Sequence, residues 1–91
     1  MHIQKKEHSV QLKAFSIRDN AVKSYERPFF QNSSEEAIRS FRNQIKNPQT
    51  IWHANPEDFD LFHLGFYDTE TGIFTSLDTP SHIEKAINLK E

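Results

Sequence analysis

A chain of 91 residues, 35% apolar, 12% aromatic and with a formal net charge of −2, has room for one small domain. It contains no cysteine, which excludes a disulfide framework and a cysteine-based metal site and fits a reducing compartment. Its longest apolar run is far below the ~18 residues needed to span a membrane, and its start, MHIQKKEHSV, has no apolar stretch like that of a secretory signal. A core of this size is thin, and the eight phenylalanines can fill it with few residues.

The charge is unevenly spread. Residues 1–54 carry nine Lys/Arg against five Asp/Glu, and residues 55–91 carry two against eight. Such polarity either marks a nucleic-acid face on one half or disappears because the two halves interleave in the fold.

Residues 1–9 are polar and are expected to form a flexible N-terminal extension. Val10, Leu12 and Ala14 then alternate with Gln11 and Lys13, as in a half-buried strand over 10–17. Phe15 and Ile17 fall on the opposite parity, so either a bulge shifts the register or both faces are covered. Asp19-Asn20 signals a turn; 21–25 suits a short return strand, and Pro28 makes 26–30 an edge or an extended loop.

The clearest helix spans 34–46. Ser33-x-x-Glu36 is a capping box in which the hydroxyl takes the Glu36 amide and the carboxylate reaches back to the Ser33 amide. Ala37, Ile38, Phe41 and Ile45 share one face, Glu35 and Arg39 are spaced to pair, and Asn47-Pro48 ends the helix. Ile51 and Trp52 fall in a short strand or a packed loop.

The densest apolar segment, 59–67, follows the acidic turn Pro56-Glu57-Asp58 and closes on DTETG before a second run at 73–77, the pattern of a β-hairpin. Phe59, Leu61 and Tyr67 lie on one parity, and Phe62, Leu64 and Phe66 on the other. A second helix is expected over 80–89, with Pro80 in its first turn, Ser81-x-x-Glu84 as a capping box, and Ile83, Ala86 and Ile87 as its stripe.

Together these elements predict an α+β fold: a small, mostly antiparallel sheet of about four strands (13–17, 25–30, 59–67 and 73–77) with two helices on one face. The uncovered face would expose Phe62, Leu64, Phe66 and Phe74, and a two-fold partner is the common remedy, so these four residues are the expected interface of a homodimer.

Catalytic chemistry has little support in the residues. His2, His8, His53, His63 and His82 lack metal-ligand spacing, and two glycines cannot build a phosphate-cradling loop. Asp58, Asp60 and Asp68 read as solvated turn carboxylates. The expectation is a protein that is not an enzyme and carries no cofactor or metal. The one functional pattern interleaves cations with rings: Lys13, Phe15, Arg18, Lys23, Tyr25, Arg27, Phe29 and Phe30, with Arg39, Arg42 and Lys46 as a stripe on the helix. Single-stranded nucleic acid is held by such a combination. The plainer reading keeps the rings in the core and leaves the helix cations as a solvated flank.

The segments FSIRD (15–19), YERPFFQNSSEEAIRSF (25–41), PEDFDLFHLGFYDTETG (56–72) and the AINLKE end resemble the small nonstructural protein of tailless, icosahedral single-stranded DNA phages, the gokushovirus branch of the microviruses. The likeness covers 13–91. It implies a non-enzymatic accessory protein in the host bacterial cytoplasm. That protein would act in viral DNA replication or in the switch to single-strand synthesis and packaging, by binding single-stranded DNA. The other reading is an interaction module that binds a phage or host replication protein without touching DNA. The residues expected to meet nucleic acid are Lys13, Arg18, Lys23, Tyr25, Arg27, Phe29, Arg39, Arg42 and Lys46.

Overall fold

The computed structural model describes residues 11–90; the expected N-terminal extension and Val10 lie outside the described residues. Strand β1 (Gln11–Asp19) and strand β4 (Phe59–Asp68) form the centre of an antiparallel sheet. Strands β2 (Ser24–Tyr25) and β3 (Phe29–Gln31) share the far side of β1, and β5 (Phe74–Lys85) pairs with β4 at the opposite edge. Helix α1 (Ser34–Lys46) and two short helices, α2 (Ile51–Ala54) and α3 (Ala86–Leu89), pack on one face. The α+β reading holds.

The core lies between the helices and that face. Phe15, Ile17, Phe59 and Leu61 from the sheet meet Ala37, Phe41 and Ile45 from α1 and Ala86 and Leu89 from α3. Helix α1 presents the face its spacing predicts, with Ile38 partly buried beside the other three. Its Ser33 hydroxyl accepts from the Glu36 amide at 3.2 Å. The Glu36 carboxylate accepts from the Asn32 amide at 3.1 Å, one residue earlier than the capping box predicts. Glu35 and Arg39 do not pair; among the described residues both ion pairs converge on Asp60.

Both alternatives for the first strand are realised. The β1–β4 register shifts between Ala14 and Phe15, and Ala14, Phe15, Ser16 and Ile17 are all buried. The return segment divides around Pro28 into β2 and β3, since Pro28 has no N–H to give to a ladder. Trp52 sits on a helical turn that Thr50 caps, accepting from the His53 amide at 3.2 Å.

The hairpin closes as expected. The Asp68 carboxylate accepts from the Glu70 and Thr71 amides at 2.8 and 3.2 Å, and Gly72 takes φ 75°. Its parity does not survive. Ala14 pairs with Gly65 and Phe15 with His63, leaving Leu64 as an extra residue. Phe59, Leu61, His63 and then Phe66 therefore fall on the helix-side face, while Tyr67 moves to the other. The rings agree: Phe66 meets His63 at 5.0 Å, and His63 meets the core residue Phe15 at 5.2 Å.

The expected helix over 80–89 is mostly strand. Strand β5 runs to Lys85, and only Ala86–Leu89 is helical. Two features decide this. Pairing with β4 satisfies the backbone up to the Asp60–Lys85 pair, which a free helix end would not. Pro80 costs no ladder bond, because residues 77–80 bulge out opposite Leu64 on the sheet's edge. The Glu84 carboxylate then serves the Lys85 amide at 3.2 Å and the Asn88 side chain at 2.9 Å rather than a cap with Ser81. Ala86 is buried but Ile87 is 47% exposed, so the predicted stripe is also broken.

Candidate nucleic-acid interface

The face of the sheet away from the helices is built from alternate residues of four strands. Register places Ser16, Phe62 and His82 side by side, and Arg18, Asp60 and Lys85 beside them; Tyr25 pairs with Arg18 across the β1–β2 ladder. Ser16 is small, and its hydroxyl turns to donate to the Glu26 carbonyl at 2.5 Å. That leaves Tyr25 free to reach Phe62, ring centroids 5.4 Å apart and edge-to-face, while His82 meets the other side of Phe62 at 5.3 Å.

Cations flank this row. The Arg18 guanidinium lies over the Tyr25 ring at 5.7 Å and donates to Asn20 at 2.6 Å. Asp60, largely buried, holds His82 at 2.8 Å and Lys85 at 3.7 Å. The carboxylate thus fixes both groups beside the rings while they stay exposed to solvent.

A second ring cluster lies toward the hairpin tip. Tyr67 and Phe74 are 4.7 Å apart, and Phe30 is 5.7 Å from the first and 5.9 Å from the second. Between the clusters the residues shrink to Ala14, Gly65 and Ser76, which are neighbours across three strands. A shallow cleft of about 200 Å³ opens there, with Phe30 and Phe74 on its walls. The gap depends on Gly65: a Cβ at this position would collide with the Thr75 carbonyl oxygen.

The residues expected to meet nucleic acid do not form one surface. Arg18 and Tyr25 stand on the open face. Lys23 is exposed in the β1–β2 turn with φ 60°, and Arg27 is exposed at the sheet edge. Lys13 pairs with Phe66 and Gln31 on the helix-side parity. Phe29 stacks on Phe15 at 5.9 Å and packs against the core. Arg39, Arg42 and Lys46 belong to α1, in the opposite layer. The four expected interface residues also separate: Phe62 is on the open face, Phe66 on the helix-side face, Leu64 in the bulge and Phe74 in the second cluster.

Tyr67, His82 and Lys85 join the open face without having been picked out by the sequence. Tyr67 changes face at the bulge, for which the glycine at 65 inside a strand pattern is the sequence signal. His82 and Lys85 lie in the segment whose proline and capping box read as a helix.

The molecule is thus a small α+β protein with one helix-covered sheet face and one aromatic, cation-flanked face. A profile of the phage ORF5 protein family matches residues 12–89, and the chain belongs to that family. Protein ORF5 of Chlamydia phage 1 is 35% identical over 68 residues, covering 70% of this chain and 71% of its relative. The resemblance to a small nonstructural phage protein is borne out. No solved structure matches the chain. Among the described residues no helix is long and apolar enough to cross a membrane.

Proposed function

We propose that this protein is a non-enzymatic phage accessory factor that binds single-stranded DNA on its open sheet face. It would act in the host bacterial cytoplasm, during viral DNA replication or the switch to single-strand synthesis and packaging. The supporting observation is the Tyr25–Phe62–His82 row flanked by Arg18 and Lys85, with the Phe30–Tyr67–Phe74 cluster beyond the cleft. Rings on a sheet surface stack unpaired bases irrespective of sequence, and flanking cations follow the backbone.

Fluorescence anisotropy with a labelled oligo(dT) across a salt series tests it. Affinity should fall steeply with salt, because bound phosphates release counterions. Arg18→Ala and Lys85→Ala should each flatten the log–log slope by about one. Absence of binding at low salt would overturn the reading and favour a module that binds a phage or host replication protein.

A homodimer is a second reading. Phe74 is 63% exposed, Ile73 60% and Phe30 37%, an apolar tip whose burial against a second copy would remove it from water.

A further inference from the structure

A second concavity lies on the other side of the sheet from the aromatic face, between the β2–β3 edge and helices α1 and α2. Its volume is about 380 Å³, within the range of small-ligand sites. Phe29, Phe41 and Trp52 supply flat apolar walls, and Glu26, Arg27 and Gln44 supply the polar groups.

These walls are held in place. Phe41 and Trp52 meet edge-to-face at 6.3 Å. Helix α2 is tied to α1 by the His53 Nδ1–Ile45 carbonyl hydrogen bond at 2.8 Å, and the Lys90 ammonium donates to the His53 carbonyl at 3.1 Å. The Glu26 backbone is fixed to β1 by its amide, which donates to the Ile17 carbonyl at 2.8 Å.

A partly buried carboxyl and a buried indole N–H meet at this wall. Burial pushes the Glu26 carboxyl above its ordinary 4.5; the Trp52 indole N–H acts in the opposite direction, and Asp19 adds to the rise. Yet that indole N–H makes no hydrogen bond of normal geometry, and among the described residues it is the one buried side-chain polar atom without a partner. A carboxylate, which accepts as a pair, therefore lines the cleft between aromatic walls, with the indole N–H buried beside it and Arg27 on the same lining.

This set matches one nucleobase. Guanine alone presents two adjacent donors, N1–H and N2–H₂, which a carboxylate accepts as a pair, and it offers O6 and N7 as acceptors. Adenine and cytosine would set a ring-nitrogen acceptor against the carboxylate, and thymine's single donor lies between two carbonyls. We propose that the cleft binds a guanine base, stacked against its aromatic walls, with Glu26 reading the donor edge and Arg27 meeting the phosphate. The base could come from a free nucleotide or from a DNA strand turned over the β2–β3 edge, and the strand source alone rests on the single-stranded DNA reading.

Trp52 is the sole tryptophan, so its emission reports the cleft directly. The full chain would be titrated with dGMP, dAMP, dCMP and dTMP. Quenching by dGMP should occur at concentrations at least about tenfold lower than for the others, as a bidentate base contact provides. Glu26→Gln, nearly isosteric and relieved of a partly buried charge, should keep the wild-type circular dichroism and lose that preference. Equal quenching by all four nucleotides, or a dGMP preference that survives in E26Q, overturns the proposal.

Oligonucleotide arms separate the sources. If oligo(dT) binds and one internal dG raises affinity with Trp52 quenching, the strand supplies the base. If dGMP alone gives selective quenching, the cleft takes the free nucleotide. If oligo(dT) binds while dGMP quenches no better than dAMP, the cleft proposal fails and the open-face reading stands.

Discussion

Single side chains set the geometry at three places, and each can be tested alone. Ser33 supplies the acceptor for a first-turn amide of α1, so Ser33→Ala should cost about 1 kcal/mol in urea-unfolding free energy. Gly65 is tighter: the Thr75 carbonyl oxygen occupies the space a Cβ would take. Gly65→Ala must push β4 and β5 apart, and should lower stability by about 1–3 kcal/mol. An unchanged denaturation midpoint would show that the bulge relaxes freely. Glu26 acts through its charge. Its folded pKa is raised above 4.5 mainly by burial, so folding favours the protonated form. Its ionisation therefore destabilises the fold above the folded pKa, and that cost disappears as pH falls to the unfolded value. Glu26→Gln should accordingly be more stable than wild type at neutral pH, and the two melting curves should converge as pH falls through 4.5.

At the scale of elements, the β4 bulge at Leu64 does most to decide which side chains share a surface. Without the extra residue, strict alternation would place Tyr67 with the core and Phe66 on the open face. With it, Tyr67 joins Phe30 and Phe74. The bulge in β5 over residues 77–80 has a parallel effect, housing Pro80 so that the strand resumes pairing at Ser81 and sets His82 beside Phe62; a second register shift, at Ile83, then brings Lys85 opposite Asp60 on the same face. If these rings stack on bases, Phe62→Ala should weaken oligo(dT) binding by about 1–3 kcal/mol in anisotropy. Phe66→Ala, on the helix-side face, should leave that affinity nearly unchanged. Equal losses from both substitutions would argue that the open face is not the binding surface.

For the molecule as a whole, the charge polarity of the two sequence halves does not become two charged lobes. Strand β1, from the basic half, pairs along its length with β4, from the acidic half, and Arg18 stands opposite Asp60 in the ladder. Any attraction for DNA must therefore be local to the open face rather than global. The same architecture leaves an apolar tip at Ile73 and Phe74 with no helix over it. Sedimentation velocity at tens of micromolar should show a dimer if a second copy covers this tip, and Phe74→Glu should return it to monomer by placing an unpaired charge in the contact. A monomer for the unmodified chain would leave the tip to solvent or to another partner.

What the sequence determined by itself was local. Spacing and capping residues placed α1 and its buried face, because a helix's period and its first-turn bonds are written within a few residues of one another. The hairpin turn was legible for the same reason: Asp68 and Gly72 close it on themselves. Motif strings also carried the family likeness, since these stretches persist as words in the chain. The face that each residue of β4 presents was decided only in three dimensions. A single unpaired residue reverses every side chain after it, and pairing with β1 and β5 together determines where that residue falls. The fate of residues 80–89 was likewise a contest between a local helix signal and a distant strand, and the backbone bonds offered by β4 outweighed the capping box. The cleft beside Trp52 was the least legible feature of all. Glu26, Phe41 and Trp52 come from three separate segments, and only the packing of α1 and α2 against the sheet brings an indole N–H and a carboxylate to the same wall.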